Sequence, residues 1–163
     1  MQIENLVLVG TKGEEVPESM PSDERRRLYP PLGVVKIIKL RWKCDGDEFA
    51  LDLTQGGNKY NWEVLPDRSG FLVTCQQSNG SSSAAILNGD ATTRFSLRNP
   101  WPDSPFFGPN DKYGFDWPLV HNGQPGFVVG VTSVGATGIL TTVDHFYAID
   151  PNTGVFSGSH PLH

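Results

Sequence analysis

Four histidines, His121, His145, His160 and His163, are the residues from which general-base or metal chemistry could be built in this chain. His121 and His145, with one carboxylate from Asp103, Asp111 or Asp116, have the donor types of a mononuclear metal centre or a proton-abstracting base. Their spacing does not assemble one. No His-x-His pair sets two imidazoles on one strand face, and in Asp144-His145 strand neighbours point to opposite faces. His160 and His163 fall in a Ser-His-Pro-Leu-His tail, read as solvated. No Gly-x-Ser-x-Gly elbow, phosphate-cradling Gly-x-x-x-x-Gly-Lys run or dinucleotide fingerprint occurs. Asp45, Asp47 and Glu48 crowd an Asp45-Gly46 turn, where carboxylates serve turn geometry. No metal or cofactor is expected, and a small β-fold enzyme using His121 or His145 is kept as an alternative.

A different chemistry is offered between Asn99 and His121, where Trp101, Phe106, Phe107, Tyr113, Phe115 and Trp117 are interleaved with Pro, Gly, Asp and Asn. Sugars and other polar ligands are held by ring faces together with side-chain oxygens, and Trp101, Asp103, Asn110, Asp111, Tyr113 and Trp117 supply both. The competing reading is that the rings plug one end of the fold. The two are compatible when Phe106, Phe107 and Phe115 face inward and Trp101 and Tyr113 face out. The prolines and glycines here predict a long irregular loop over 99–125.

The elements that must carry this loop are strands. Residues 3–10 form an apolar first strand, although they alternate poorly. Ser22 to Leu28 places acidic residues before basic ones, as the helix dipole favours, and Pro30-Pro31 ends that single short helix. Between Gly33 and Lys43, Ile38, Leu40 and Trp42 share one face and Lys39, Arg41 and Lys43 the other. Asp45-Gly46 then leads into Phe49, Leu51 and Leu53, a hairpin signal. Further strands follow at 60–64, 71–75, 84–87, 92–97, 127–131, 139–143, 145–149 and 155–157, with turns about every ten residues. The prediction is an all-β, single-domain antiparallel β-sandwich over residues 1–163, with a mobile tail at 158–163. A β-trefoil or other closed barrel is the alternative, suggested by an echo between Trp62…Phe71-Leu-Val and Trp117…Phe127-Val-Val whose tryptophans lie 55 residues apart.

Tyr147 through Gly154 resembles the strand–turn unit of quinoprotein-type propellers, of which one copy cannot close a propeller. Asp144 through Ser157 is also similar to the calcium loop of bacterial galactose-binding lectins. Ala148 and Pro151 stand where that loop has oxygen ligands, which leaves too few for Ca²⁺.

The net charge is −5, and the basic residues are scattered apart from Arg25-Arg26-Arg27, which excludes a phosphate-tracking stripe and hence nucleic acid. No apolar run approaches a membrane span, and the N-terminus reads as a strand rather than a signal peptide, so the chain is expected in the cytoplasm or secreted without a recognisable signal. Cys44 and Cys75 lack zinc-site spacing and are expected as reduced thiols. The function expected is a non-enzymatic binding or interaction module with residues 101–117 as its recognition surface. Its target is a glycan, another polar small ligand or another protein, and homo-oligomeric self-assembly through exposed rings is the alternative.

Overall fold

The structure, a computed structural model, describes residues 1–29 and 36–162. The expected helix stop at Pro30-Pro31, the strand start at Gly33 and His163 lie outside the described residues. Among the described residues, twelve strands form three four-stranded antiparallel sheets. The N-terminal sheet holds β1 (Ile3–Gly10), β2 (Glu15–Pro17), β3 (Ile37–Cys44) and β4 (Asp47–Asp52), in the order β2-β1-β3-β4. The central sheet is a meander of β5 (Lys59–Val64), β6 (Gly70–Gln76), β7 (Ser82–Asn88) and β8 (Thr93–Leu97). A second meander of β9 (Lys112–His121), β10 (Gln124–Val134), β11 (Leu140–Asp150) and β12 (Val155–Pro161) makes the C-terminal sheet. The helix α1 occupies Ser22–Leu28, with Asp23 and Glu24 in its first turn and three arginines in its last.

Two cores hold these sheets together, and the central sheet contributes to both. Leu40, Trp42 and Cys44 of β3 pack with Phe71 and Val73 of β6 and Leu87 of β7. On the opposite face of the central sheet, Leu72, Ala84 and Ile86 pack with Phe127, Val129, Val131, Tyr147 and Ile149. The all-β antiparallel fold is therefore two face-to-face sandwiches sharing one sheet, with no closed barrel among the described residues. The layering explains why Phe71 to Thr74 are buried without alternation: strands covered on both faces need apolar residues on both. Trp42 joins the first two layers through more than packing. Its ring meets Phe71 edge-on at 4.7 Å, and its indole N–H donates to the Gly89 carbonyl at 2.6 Å.

The poor alternation of β1 has a local cause. A bulge lies between Glu4 and Val7, with Asn5 at φ 52°, and shifts the buried positions from Ile3 to Leu6 and Leu8. The Asp45-Gly46 turn forms as read, both residues taking the positive φ that a two-residue hairpin demands. The echo of tryptophans has a structural counterpart: Trp62 of β5 pairs with Val73, and Trp117 of β9 pairs with Val128, so both stand on the first strand of a meander.

Three expectations are corrected. Lys112–His121, read as loop, is a ten-residue strand that tolerates Gly114 and Pro118 because β9 is an edge strand, where a missing backbone donor costs no ladder bond. The 158–163 tail is not free. Ser159, His160 and Pro161 pair with Tyr147, Phe146 and His145, and the Leu162 N–H donates to Asp144. Glu15–Pro17, outside every strand expected from sequence, is the short edge strand β2 that buries Val16. No helix among the described residues is long and apolar enough to cross a membrane.

Candidate functional site

The segment leading into β9 is built around Trp101. This residue opens a short 3₁₀ turn, Trp101–Asp103, and its ring is only 3% exposed, packed into the second core and lying 4.8 Å from the His145 ring. Its indole N–H donates to Asp111 at 3.0 Å, and the same carboxylate accepts the Gly108 N–H at 2.8 Å. The Gly108 amide first, and then the indole, hold the Asp111 carboxyl below the ordinary range. Asp103 sits 3.6 Å from Arg98 on the surface, while Asn110 is exposed.

The expected division of rings is therefore reversed at three positions, Phe107 among them with 38% exposure. Trp101 is a plug and cannot offer a face, and Asp111 is occupied in fixing it. Phe106, expected inside, is 80% exposed. Phe115 is buried as expected, edge-on to Phe127 at 5.7 Å. Tyr113 is exposed and meets Phe107 edge-on at 6.3 Å. The reversal follows from packing: Trp101 lies four residues after β8 ends and joins the second core, whereas Phe106 lies midway between β8 and β9 and joins neither core.

Because the folded carboxyl of Asp111 titrates below the unfolded one, its contribution is present at neutral pH and lost as pH falls through the depressed value. The stability difference between the wild type and Asp111→Asn is expected to be constant above about pH 5 and to shrink in stronger acid. Chemical denaturation at a series of pH values measures it.

Trp117 goes elsewhere. The β9–β10 register shifts between Val128 and Val129, which makes Asp116 a bulge residue. Its carbonyl accepts hydrogen bonds from Asn61 at 3.2 Å, Thr74 at 3.3 Å and Gln76 at 3.5 Å, clamping β9 against the central sheet. Its carboxyl lies over Gly130 and is raised by burial and by the Asp144 charge. Next to this clamp, Trp117 remains 40% exposed and lines a cleft of about 960 Å³ with Pro118, Leu53, Tyr60, Trp62 and Glu63. The cleft lies where edge strands of all three sheets approach one another: β4 is followed by Leu53, and β5 and β9 supply the other walls. Glu18, Lys36 and Lys59 add charge. Burial first, and the Glu18 carboxylate second, raise the Glu63 carboxyl.

Of the residues singled out in sequence, the fold joins Trp101 to Asp111 and sends Trp117 to this cleft, so the six do not form one surface. Trp62 and Glu63 were not foreseen as site residues. The available signal was the Trp62/Trp117 echo. The histidines also separate. His145 lies half-buried with its ring tilted 39° to that of Trp101, and its pKa is lowered by burial, against the opposing Asp144 charge. The His121 ring lies against those of Phe146 and His160, tilted to both, with centroids 5.4 and 5.3 Å away. As His145 and Phe146 are strand neighbours, His121 and His145 lie on opposite faces of the C-terminal sheet and share no site. Among the described residues, no three His, Cys, Asp or Glu side chains converge to hold a metal. Cys44 is buried at the end of β3 and Cys75 is half-buried on β6, both unbonded.

The geometry defines a three-sheet antiparallel β protein with a ring-lined cleft where its edge strands meet. No protein-family model and no curated protein matches the sequence. A chain in the structure of Tne2 in complex with Tni2 has a similar fold, with a TM-score of 0.66 and 14% identity, over 99% of this chain and 100% of that one.

Proposed function

We propose that this chain is a non-enzymatic interaction module that binds another protein at the cleft between β5 and β9. The observation that carries the reading is Trp117, held 40% exposed on a clamped edge strand beside Trp62. A large, rigid ring at the rim of a preformed cleft is the usual anchor of a protein interface. Edge strands on both walls add unpaired backbone groups that a partner segment can meet. The similar fold of a chain from a two-protein complex is consistent with this reading. Phe106, Phe107 and Tyr113 form a separate exposed group, available for a second contact or for self-assembly.

A glycan or other small polar ligand is the second reading, favoured by the presence of Asn58, Asn61 and Thr54 in the same cleft as the Trp117 ring. Trp101 and Asp111 take no part in either reading. Crosslinking with a photoreactive group at position 118, followed by reconstitution with the purified crosslinked protein, tests the assignment. Trp117→Ala is expected to weaken that complex by about 30-fold or more, the mark of an interface anchor. Equal affinity for wild type and Trp117→Ala overturns it. Saturable glycan binding that Trp117→Ala abolishes replaces it with the glycan reading.

A further inference from the structure

Resting on the protein-recognition reading, we propose that the cleft receives an arginine or lysine side chain of the partner, with Glu63 as its counter-ion and the Trp117 ring as its contact face. On β5, Tyr60, Trp62 and Val64 are directed to the first core, so Asn61 and Glu63 point to the other side of the strand. The Asn61 amide reaches the Asp116 carbonyl at 3.2 Å, which places that side against β9 immediately before Trp117. Glu63 thus lines the same cleft as Trp117 and Pro118.

Among the described residues no cation pairs with Glu63. Glu18, the nearby carboxylate, is already bound by Arg68 at 2.9 Å, and Lys36 and Lys59 line the cleft without an ion pair to Glu63. A half-buried carboxylate beside a second carboxylate is costly to keep charged, and burial without a partner is the state that a cation from outside relieves. The two lysines work against a polybasic segment and leave room for a single cation held by Glu63 and the Trp117 ring. Arginine suits this setting better than lysine, because its planar guanidinium stacks on an indole while offering paired donors to a carboxylate. The net charge of −5 draws basic surfaces toward the molecule at long range.

Nα-acetyl-arginine amide, with acetyl-citrulline amide as its neutral twin, probes the site in the intact protein by following the four indole N–H resonances. The arginine compound is expected to shift Trp62 and Trp117 saturably, leaving Trp42 and Trp101 unmoved, while citrulline does neither. Glu63→Gln is expected to weaken arginine binding by about tenfold, and Lys59→Gln to strengthen it. Unchanged Trp42 and Trp101 resonances in each variant certify the fold. No shift with arginine, or equal binding by Glu63→Gln, overturns the proposal. A reconstituted partner complex that is weakened by Trp117→Ala but indifferent to Glu63→Gln leaves protein recognition standing and removes the cationic anchor alone.

Discussion

Trp101→Ala is expected to destabilise the protein by about 3–5 kcal/mol, the cost of emptying a core position that held a large ring. Three supports are removed together. The ring is 3% exposed within the second core, its N–H bonds Asp111, and it packs against the tilted ring of His145. The Asp111 carboxylate would lose the indole N–H and keep the Gly108 N–H. Phe106→Ala, five residues away and 80% exposed at that ring, is expected to change stability by less than about 0.5 kcal/mol. Equilibrium urea denaturation separates the two variants. A loss below about 1 kcal/mol for Trp101→Ala would mean that the ring is not the plug of this core.

Phe71→Ala is expected to have a loss of the same size, about 3–5 kcal/mol, through the other core. Phe71 is fully buried on β6 and meets the Trp42 ring edge-on, so its removal also loosens the joint between the first two sheets. Its neighbour Leu72 faces the opposite core, which leaves the second sandwich intact. Since Phe71 and Trp101 belong to different clusters, their effects should add, and the double variant would lose a large share of the roughly 5–15 kcal/mol available to a domain. Thermal and urea unfolding of the single and double variants measure this. A double variant no less stable than either single one would show that the two cores act as one unit.

Neither residue's importance follows from its type. Trp101 and Phe106 sit in the same proline-rich segment with similar neighbours, and local sequence does not say which ring meets a core and which meets water. Trp117 and Trp62 share a hairpin context that sequence does record, as the echo. That both line one cleft depends on the central and C-terminal meanders being stacked and on the Asp116 clamp that fixes β9. The half-buried setting of Glu63 beside a second carboxylate is likewise invisible in sequence, because it depends on the fold bringing Glu18 near β5 at the cleft.

What the sequence by itself determined is what near neighbours encode. The seven-residue helix, the Asp45-Gly46 hairpin, the alternating face of Leu40 and Trp42 and the all-β antiparallel class are set by cap, turn and pleat chemistry acting within a few residues. The tertiary structure decided what depends on layers meeting. It set a third sheet that buries β6 on both faces, the pairing of the Ser159–Pro161 tail with β11, the inward turn of Trp101 and the outward turn of Phe106. It also brought Trp62, Glu63 and Trp117 to one cleft. The physical reason is that burial belongs to the assembled sheets: a side chain's own strand sets its face, and only the sheet packed opposite decides whether that face is core, cleft or surface.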